Sequence, residues 1–99
     1  MRKPNRLNAL ANGKRLAVLR WLKDPERHFP RQRHADINKV GVCCDFLRKK
    51  LGVAAPTTTR HMRILADAGF VRARRIGQFT YYKRVDAALR ALGREIGIL

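Results

Sequence analysis

Two adjacent cysteines, Cys43 and Cys44, are the only thiols in this 99-residue chain. Apolar residues recur at helical spacing over residues 42–51, which predicts a helix with both thiols in its first turn. There the helix dipole and the neighbouring Arg and Lys side chains would lower a thiol pKa and favour the reactive thiolate. The pair is therefore a candidate thiol sensor. The alternative is that Cys43, which shares a face with Leu47 and Leu51, is a small buried apolar residue.

Residues able to bind a metal also occur in segment 25–41, where His28 and His34 have Glu26 and Asp36 nearby. Their spacing matches no compact zinc pattern, so we interpret them as exposed loop residues. The sequence contains no Ser/His/Asp arrangement, no paired-carboxylate motif and no glycine-rich nucleotide loop. The residues therefore predict no metal, no cofactor and no catalytic activity.

The charge of the chain is strongly positive, with 23 Lys and Arg residues against 7 Asp and Glu and a formal net charge of +16. Such a field favours polyanions, with nucleic acid first and an anionic membrane surface second. No run approaches the ~18 apolar residues of a membrane span. The charged N-terminus lacks the apolar segment of a signal peptide, so we expect a cytoplasmic protein.

The elements that must position these side chains begin with two helical pieces in residues 7–24. Asn12 can cap the second piece. Residues 25–41 contain two prolines and no sustained period, so they are predicted to form a long surface loop. The helix over 42–51 then ends at Gly52, where a residue with positive φ belongs.

Another helix follows, since Pro56 suits a first helical turn. Its inward face would carry Thr58, Met62 and Leu65. Residues 70–85 predict a β-hairpin that turns at Gly77, and Asp86 can cap a last helix.

The order of these elements predicts a mainly α fold with a β-hairpin wing (α+β), the winged helix–turn–helix. We expect a single domain over residues 1–99. Its predicted parts are a helix–turn–helix at about 42–68, a wing at about 70–85 and a C-terminal helix at about 87–97.

Two helices joined by a turn of about four residues can act as a reading head for the major groove of double-stranded DNA, which admits one helix. Thr and Arg side chains at the start of the second helix can donate to or accept from base edges. The hairpin adds side chains suited to phosphates or to an adjacent minor groove. The candidate DNA-binding residues are Thr57, Thr59, Arg60, His61 and Arg63 of the reading helix and Arg72, Arg74, Arg75 and Gln78 of the wing. For His61, capping or packing at the helix junction is an alternative to base contact.

The segment from about Leu10 to Val85 resembles the ArsR/SmtB-type bacterial transcriptional repressors. The resemblance is densest in LGVAAPTTTRHMRILADAGFVRARRIGQFTYY. It implies a homodimeric winged-helix protein that binds an inverted repeat in a promoter and releases it when an inducer binds. It also implies a dimer interface formed by the first and last helices, which here carry Leu7, Leu10, Leu89, Leu92 and Ile96.

The chain departs from the family pattern where members carry a capping serine and metal ligands. Ala54 replaces the serine that caps the recognition helix, at a cost of ~1 kcal/mol. When the chains are aligned on Gly52, only Cys43 matches the family's cysteine inducer motif, and Asp45 and Arg48 stand at the other ligand positions. The last helix lacks the His of the family's second metal site. Because soft metals require several converging thiolates, we expect no metal or metalloid inducer.

Two alternatives to a DNA-binding repressor stay open. A small basic RNA-binding protein would prefer structured RNA to duplex DNA. A constitutive architectural DNA-binding protein without an inducer would show no operator preference and no response to thiol reagents.

Overall fold

The computed structural model describes residues 5–99, within which five α-helices and a three-stranded antiparallel sheet occur. In chain order the elements are α1 (Arg6–Leu10), α2 (Gly13–Lys23), β1 (Val42–Cys43), α3 (Cys44–Leu51), α4 (Ala55–Asp67), β2 (Val71–Ile76), β3 (Phe79–Arg84) and α5 (Asp86–Gly97). A short 3-10 turn follows α2 at Pro25–Arg27. This arrangement is the predicted winged helix–turn–helix.

Local signals set two of the helix boundaries. The side chain of Asn12 accepts hydrogen bonds from the backbone N–H groups of Lys14 and Arg15, at 3.0 and 3.1 Å, and so begins α2. Gly52 ends α3 with a left-handed φ of 69°, and its N–H donates to the Arg48 carbonyl at 3.0 Å. Both boundaries were predicted from the sequence.

The sheet corrects the predicted start of α3. Val42 pairs with Tyr82 and Cys43 with Tyr81, so β1 adds to the free edge of β3 and the sheet order is β1-β3-β2. The prediction of a helix from Val42 is therefore wrong for its first two residues. Their backbone groups bond to a strand almost forty residues later, and helical periodicity carries no information about such a partner.

The core lies between the helices and one face of the hairpin. Thr58, Met62 and Leu65 of α4 are buried, as predicted. In α1 the buried residue is Ala9, 1% exposed, whereas the neighbouring Leu7 lies on the surface. The largest fully buried side chains of the core are Val18, Val42, Leu47, Met62, Leu65 and Phe70.

The segment before β1 is organised by one glutamine. Gln32 Oε1 accepts from the Cys43 N–H at 2.7 Å, and its Nε2 donates to the carbonyls of Gly41 and Ala35 at 2.9 and 3.1 Å. Gly41 has a φ of 114°, and a Cβ there would overlap the backbone carbonyl of Tyr82. Glycine is therefore required at this approach of the segment to β3.

The start of the same segment is held against α2. Phe29 packs edge-on against Trp21, with ring centroids 6.2 Å apart. Lys50 Nζ lies 5.2 and 5.5 Å from the Trp21 and Phe29 ring centroids and donates to the His28 carbonyl at 3.0 Å. The long loop predicted from the sequence is thus irregular but anchored at both ends.

The last helix differs from prediction in its capping. Asp86 is the first residue of α5 rather than its cap, and Val85 at the N-cap position supplies no side-chain bond. The Asp86 carboxylate instead accepts from Arg84 Nε at 2.8 Å, and Arg84 Nη1 donates to the Leu19 carbonyl at 2.8 Å. Arg84 therefore joins the end of the hairpin to α2.

Residues 1–4 lie outside the described residues. The expectation about the charged N-terminus, which includes them, stays a prediction. Within residues 5–99, every helix is too short or too polar to cross a bilayer.

Candidate nucleic-acid interface

The reading helix α4 begins directly after the turn at residues 52–54. Ala54 adopts an extended conformation at the N-cap position, and its side chain supplies no capping bond, as predicted. The Ala54 carbonyl accepts from the backbone N–H of Thr58 at 3.0 Å and from the Thr58 hydroxyl at 3.2 Å. Thr58 is only 2% exposed, so it anchors the start of the helix and leaves the neighbouring threonines on the surface.

The outer surface of α4 carries four of the predicted reading residues. Thr57, Thr59, Arg60 and Arg63 are all exposed. No ion pair within residues 5–99 involves Arg60 or Arg63. A guanidinium without a carboxylate partner keeps its fork of N–H donors available for a base edge or a phosphate. The helix therefore presents both hydroxyl and guanidinium groups to solvent.

The wing carries cations on both of its faces. Arg74 lies opposite Tyr81 and Arg75 opposite Thr80 in the β2–β3 ladder. Because successive residues of a strand point to opposite faces, Arg72 shares the Tyr81 face with Arg74, whereas Arg75 lies on the other face. All three arginines are exposed, as is Gln78 in the turn, where Gly77 adopts a φ of 61°. Arg75 and Gln78 therefore lie near the hairpin turn, whereas Arg72, opposite Lys83, lies near the base of the hairpin.

The reading helix and the hairpin lie close enough for their charges to interact. Burial raises the pKa of Tyr82 in β3, and the positive charge of Arg63 acts in the opposite direction. The Phe70 N–H at the start of the hairpin donates to the Leu65 carbonyl of α4 at 3.0 Å. The two cationic surfaces therefore lie on elements that are joined directly to each other.

His61 faces inward from the reading helix toward a buried arginine. Arg15 is 8% exposed; its Nε donates to the Ala9 carbonyl at 2.7 Å and its Nη2 to the Asn8 carbonyl at 3.2 Å. Its Nη1 lies 3.1 Å from His61 Nδ1. Burial, and then the charge of Arg15, lower the pKa of His61, so the ring is neutral and accepts through Nδ1. This geometry corresponds to the packing alternative for His61.

Arg15 itself was missed by sequence reasoning. Its guanidinium lies at the end of α1, where the last carbonyls of the helix favour a cation. Nothing in the local sequence distinguishes Arg15 from the exposed basic residues near it. Only the fold reveals that Arg15 links α1 and α2 to the reading helix.

The two cysteines occupy different environments. Cys43 is 9% exposed at the N-cap position of α3, while Cys44 is half-buried, and both are free thiols. Burial raises the pKa of Cys43, and this effect outweighs the backbone N–H groups of Asp45 and Phe46, which act to lower it. The expectation of a lowered thiol pKa is therefore wrong for Cys43.

The predicted dimer-interface residues divide into two groups. Those that pack against the chain's own core are Leu10, Leu89 and Leu92. Leu7 and Ile96 are 59% and 45% exposed and line a groove of about 500 Å³ between α1 and α5, together with Leu99. An ion pair between Arg6 and Glu95 joins the two helices beside this groove. Leu99 continues the spacing of Leu92 and Ile96, and that signal could have identified it from the sequence.

The candidate metal ligands are not brought together. Within residues 5–99, no group of three or more His, Cys, Asp or Glu side chains is placed to hold a metal ion. His34 is exposed and His28 is half-buried in the loop.

Known proteins share this sequence and this architecture. The chain is 43% identical over 81 residues to the uncharacterized HTH-type transcriptional regulator YbzH of Bacillus subtilis (strain 168), and the match covers 82% of this chain and 81% of YbzH. The crystal structure of an ArsR family transcriptional regulator superposes with a TM-score of 0.70 and 22% identity, over 93% of this chain and 79% of that one. The chain belongs to the helix–turn–helix transcriptional regulators, and its fold is that of an ArsR family regulator.

Another solved structure shares the fold. NolR from Sinorhizobium fredii matches with a TM-score of 0.59 and 26% identity, over 93% of this chain and 78% of NolR. A comparison with protein-family models found no match. The chain and its structural neighbours therefore share the ArsR-type fold, with helix–turn–helix and wing. The chain is a DNA-binding regulator of transcription.

Proposed function

We propose that this helix–turn–helix regulator is an ArsR-type repressor that binds an inverted repeat in a promoter as a homodimer. The observation that carries the proposal is the surface formed by the exposed hydroxyl and guanidinium groups of α4 and the cationic tip of the adjacent wing. With a net charge of +16, the chain has ample attraction for the phosphate backbone.

Base recognition is assigned to α4. Thr57 and Thr59 lie in the first two turns of the helix, where side chains of a reading helix contact base edges. Arg60 and Arg63 follow on the same exposed surface, and Arg can bind guanine O6 and N7 through two hydrogen bonds. His61 is given no base contact, because its Nδ1 is already engaged with Arg15.

Backbone contact is assigned to the wing. Arg72, Arg74 and Arg75 are exposed around the hairpin, with Gln78 at its turn. Cations at a protruding tip suit phosphates or the adjacent minor groove. These contacts orient the reading helix without themselves choosing a sequence.

Dimerisation is assigned to the groove between α1 and α5. Leu7, Ile96 and Leu99 expose apolar surface there, and each would be covered by the same surface of a second copy related by a two-fold axis. Two copies would place their reading helices in successive major grooves on one side of the duplex, about 34–36 Å apart.

A thiol switch has little support at Cys43. The residue is buried and its raised pKa disfavours the thiolate. Cys44, which is half-buried, is the more accessible of the two thiols. The repressor proposal therefore does not depend on an oxidant.

Footprinting on the DNA upstream of the protein's own gene tests the proposal. We expect two protected half-sites related by dyad symmetry, with their centres about 10 base pairs apart. Sedimentation of the complex should give two chains per site. The competitors are random duplex DNA and a structured RNA of equal length. Protection that random DNA removes equally well would indicate an architectural protein, and preferential removal by RNA would indicate an RNA-binding protein.

A further inference from the structure

A second concave site lies beside the wing, between the anchored loop, α3 and β3. It encloses about 280 Å³ and is lined by Phe46, Phe79 and Tyr81, with Cys43 among them. Phe79 and Tyr81 alternate with Tyr82 along β3, so they occupy the sheet face that is turned away from the core. Tyr81 is nevertheless only 3% exposed. The loop therefore covers part of this face and forms one wall of an open cavity.

The loop that covers the site is held in place before any ligand arrives. Gln32 lies in the cavity wall and bonds to the backbone of Gly41 and Cys43 on the outer edge of β1. These two hydrogen bonds of Gln32 hold residues 32–41 against the sheet. A wall that is ordered in the free protein lowers the entropic cost of binding.

The charge around the cavity is positive. Arg31 and Arg33 line it and are exposed, and no ion pair within residues 5–99 involves either of them. The one carboxylate in the lining, Asp45, accepts from Arg48 Nε and Nη2 at 3.1 and 3.0 Å. The Asp45 charge is thus offset by Arg48, and the unpaired guanidinium groups of Arg31 and Arg33 make the net charge of the site positive.

We propose that this cavity binds a small planar aromatic carboxylate of about ten to fifteen non-hydrogen atoms. The aromatic walls of Phe46, Phe79 and Tyr81 fit the flat apolar part of such a molecule. The guanidinium groups of Arg31 and Arg33 pair with its carboxylate, for which their planar fork is suited. A neutral molecule of the same shape lacks this second set of contacts.

The position of the site connects it to DNA binding. Phe79 pairs with Ile76 and Tyr81 with Arg74 of the wing, and Phe46 belongs to α3, which supports the reading helix. A bound carboxylate adds one negative charge beside the two cations near the wing, so it weakens the attraction to phosphate. This effect on DNA rests on the proposed function, whereas binding of the carboxylate does not.

An NMR titration of the full chain tests the binding, with naphthoate as the probe and naphthamide as its neutral match. We expect saturable shifts of the Cys43, Phe46 and Phe79 amides with naphthoate and at least tenfold weaker binding of naphthamide. The double variant R31Q/R33Q should weaken naphthoate binding about tenfold. Arg90→Gln, at an exposed position of α5 outside the cavity, should leave it unchanged. Equal binding of the two probes, unchanged affinity in the double variant, or shifts confined to the α1–α5 groove would each overturn the proposal.

DNA binding is measured separately on the upstream fragment, with sodium naphthoate compared with sodium chloride at the same ionic strength. Saturating naphthoate should lower the DNA affinity of the wild type at least fivefold and leave that of R31Q/R33Q unchanged.

If naphthoate binds at the cavity but DNA affinity stays constant, the regulatory half of the inference fails and the ligand site stands. If R31Q/R33Q binds naphthoate as tightly as the wild type but loses as much DNA affinity as a wing variant, the two arginines contact DNA. The ligand proposal then fails. A chain that binds naphthoate at the cavity and shows no operator preference would refute the proposed function alone.

Discussion

Arg15 Nη1 lies 3.1 Å from His61 Nδ1, and this contact joins α2 to the reading helix. The guanidinium is always protonated, so the imidazole can accept from it only in the neutral form. Burial and the charges of Arg15, Lys14 and Arg60 lower the pKa of His61 below its ordinary value of 6.5. Protonation of His61 would place two cations against each other inside the fold.

The first prediction concerns the pH dependence of stability. Because the folded-state pKa of His61 is lowered, the unfolded chain binds the proton more readily, and the free energy of unfolding falls as pH drops below about 6.5 toward the folded pKa. His61→Gln should remove this part of the acid slope, since the amide oxygen can accept from Arg15 without titrating. Urea unfolding between about pH 7.5 and about pH 5 measures it. His34→Gln, at an exposed position, is the control. An identical acid slope in wild type and His61→Gln would contradict the assignment.

The second prediction concerns base recognition by Arg60. Arg60→Ala should relax preference at one base pair of each half-site, at a cost of about 1–3 kcal/mol on the preferred sequence. Binding to random duplex DNA should change little, because the lost contact is to a base edge. Fluorescence anisotropy with operator and single-base variants measures this, with Arg90→Ala on α5 as control. An equal loss on operator and random DNA would instead assign Arg60 to phosphate.

The third prediction concerns the wing. Arg75→Ala should weaken binding to all duplex sequences and reduce the slope of log K against log salt by about 1, since one phosphate contact is lost. The same Arg90→Ala variant should keep the wild-type slope. A salt series on operator and random DNA decides the matter. An unchanged slope in Arg75→Ala would count against contact between the wing and a phosphate.

The fourth prediction concerns the uncapped start of α4. Ala54→Ser should raise the free energy of unfolding by about 0.5–1 kcal/mol, because Ala54 already has the extended backbone of a cap. Pro56 has no N–H, so the serine hydroxyl would accept from the Thr57 N–H. Ala55→Ser places the same hydroxyl one residue later and should not stabilise. Denaturant unfolding compares the three proteins, and equal stability would show that the turn cannot orient the serine.

The fifth prediction concerns the thiols. Alkylation of the native protein should modify Cys44 well before Cys43, because Cys43 is buried and burial raises its pKa. Peptide mapping by mass spectrometry after timed iodoacetamide treatment measures the two rates. In urea the difference should disappear. If Cys43 reacts as fast as Cys44 in the native protein, the environment assigned to Cys43 is wrong and a thiol sensor at that residue regains support.

Much of the architecture was predictable because it depends on local signals. Each boundary signal lies within a few residues of the element that it starts or ends. These signals are the Asn12 cap, the left-handed Gly52, Pro56 at the start of α4 and the hairpin turn at Gly77. The exposed reading residues were predictable for a related reason. A helix with Thr58, Met62 and Leu65 inward turns Thr59, Arg60 and Arg63 toward solvent.

At the α1–α5 surface, helical spacing does not predict which apolar residues are buried. The stripe of Leu89, Leu92 and Ile96 was correctly identified as apolar, yet Leu92 packs into the chain's own core and Ile96 is exposed. Spacing along one helix identifies which residues share a face. It does not tell how far a neighbouring element extends over that face.

The sequence by itself determined the five helices, the hairpin, their order and the positive, hydroxyl-bearing surface of α4, because helix caps, turns and amphipathic spacing act over a few residues. The tertiary structure alone decided the pairing of Val42 and Cys43 with β3, the burial of Arg15 against His61 and the hydrogen bonds of Gln32. Each of these joins groups that are distant along the chain. Their hydrogen-bond partners exist only after the chain has folded, so no local pattern of residues encodes them.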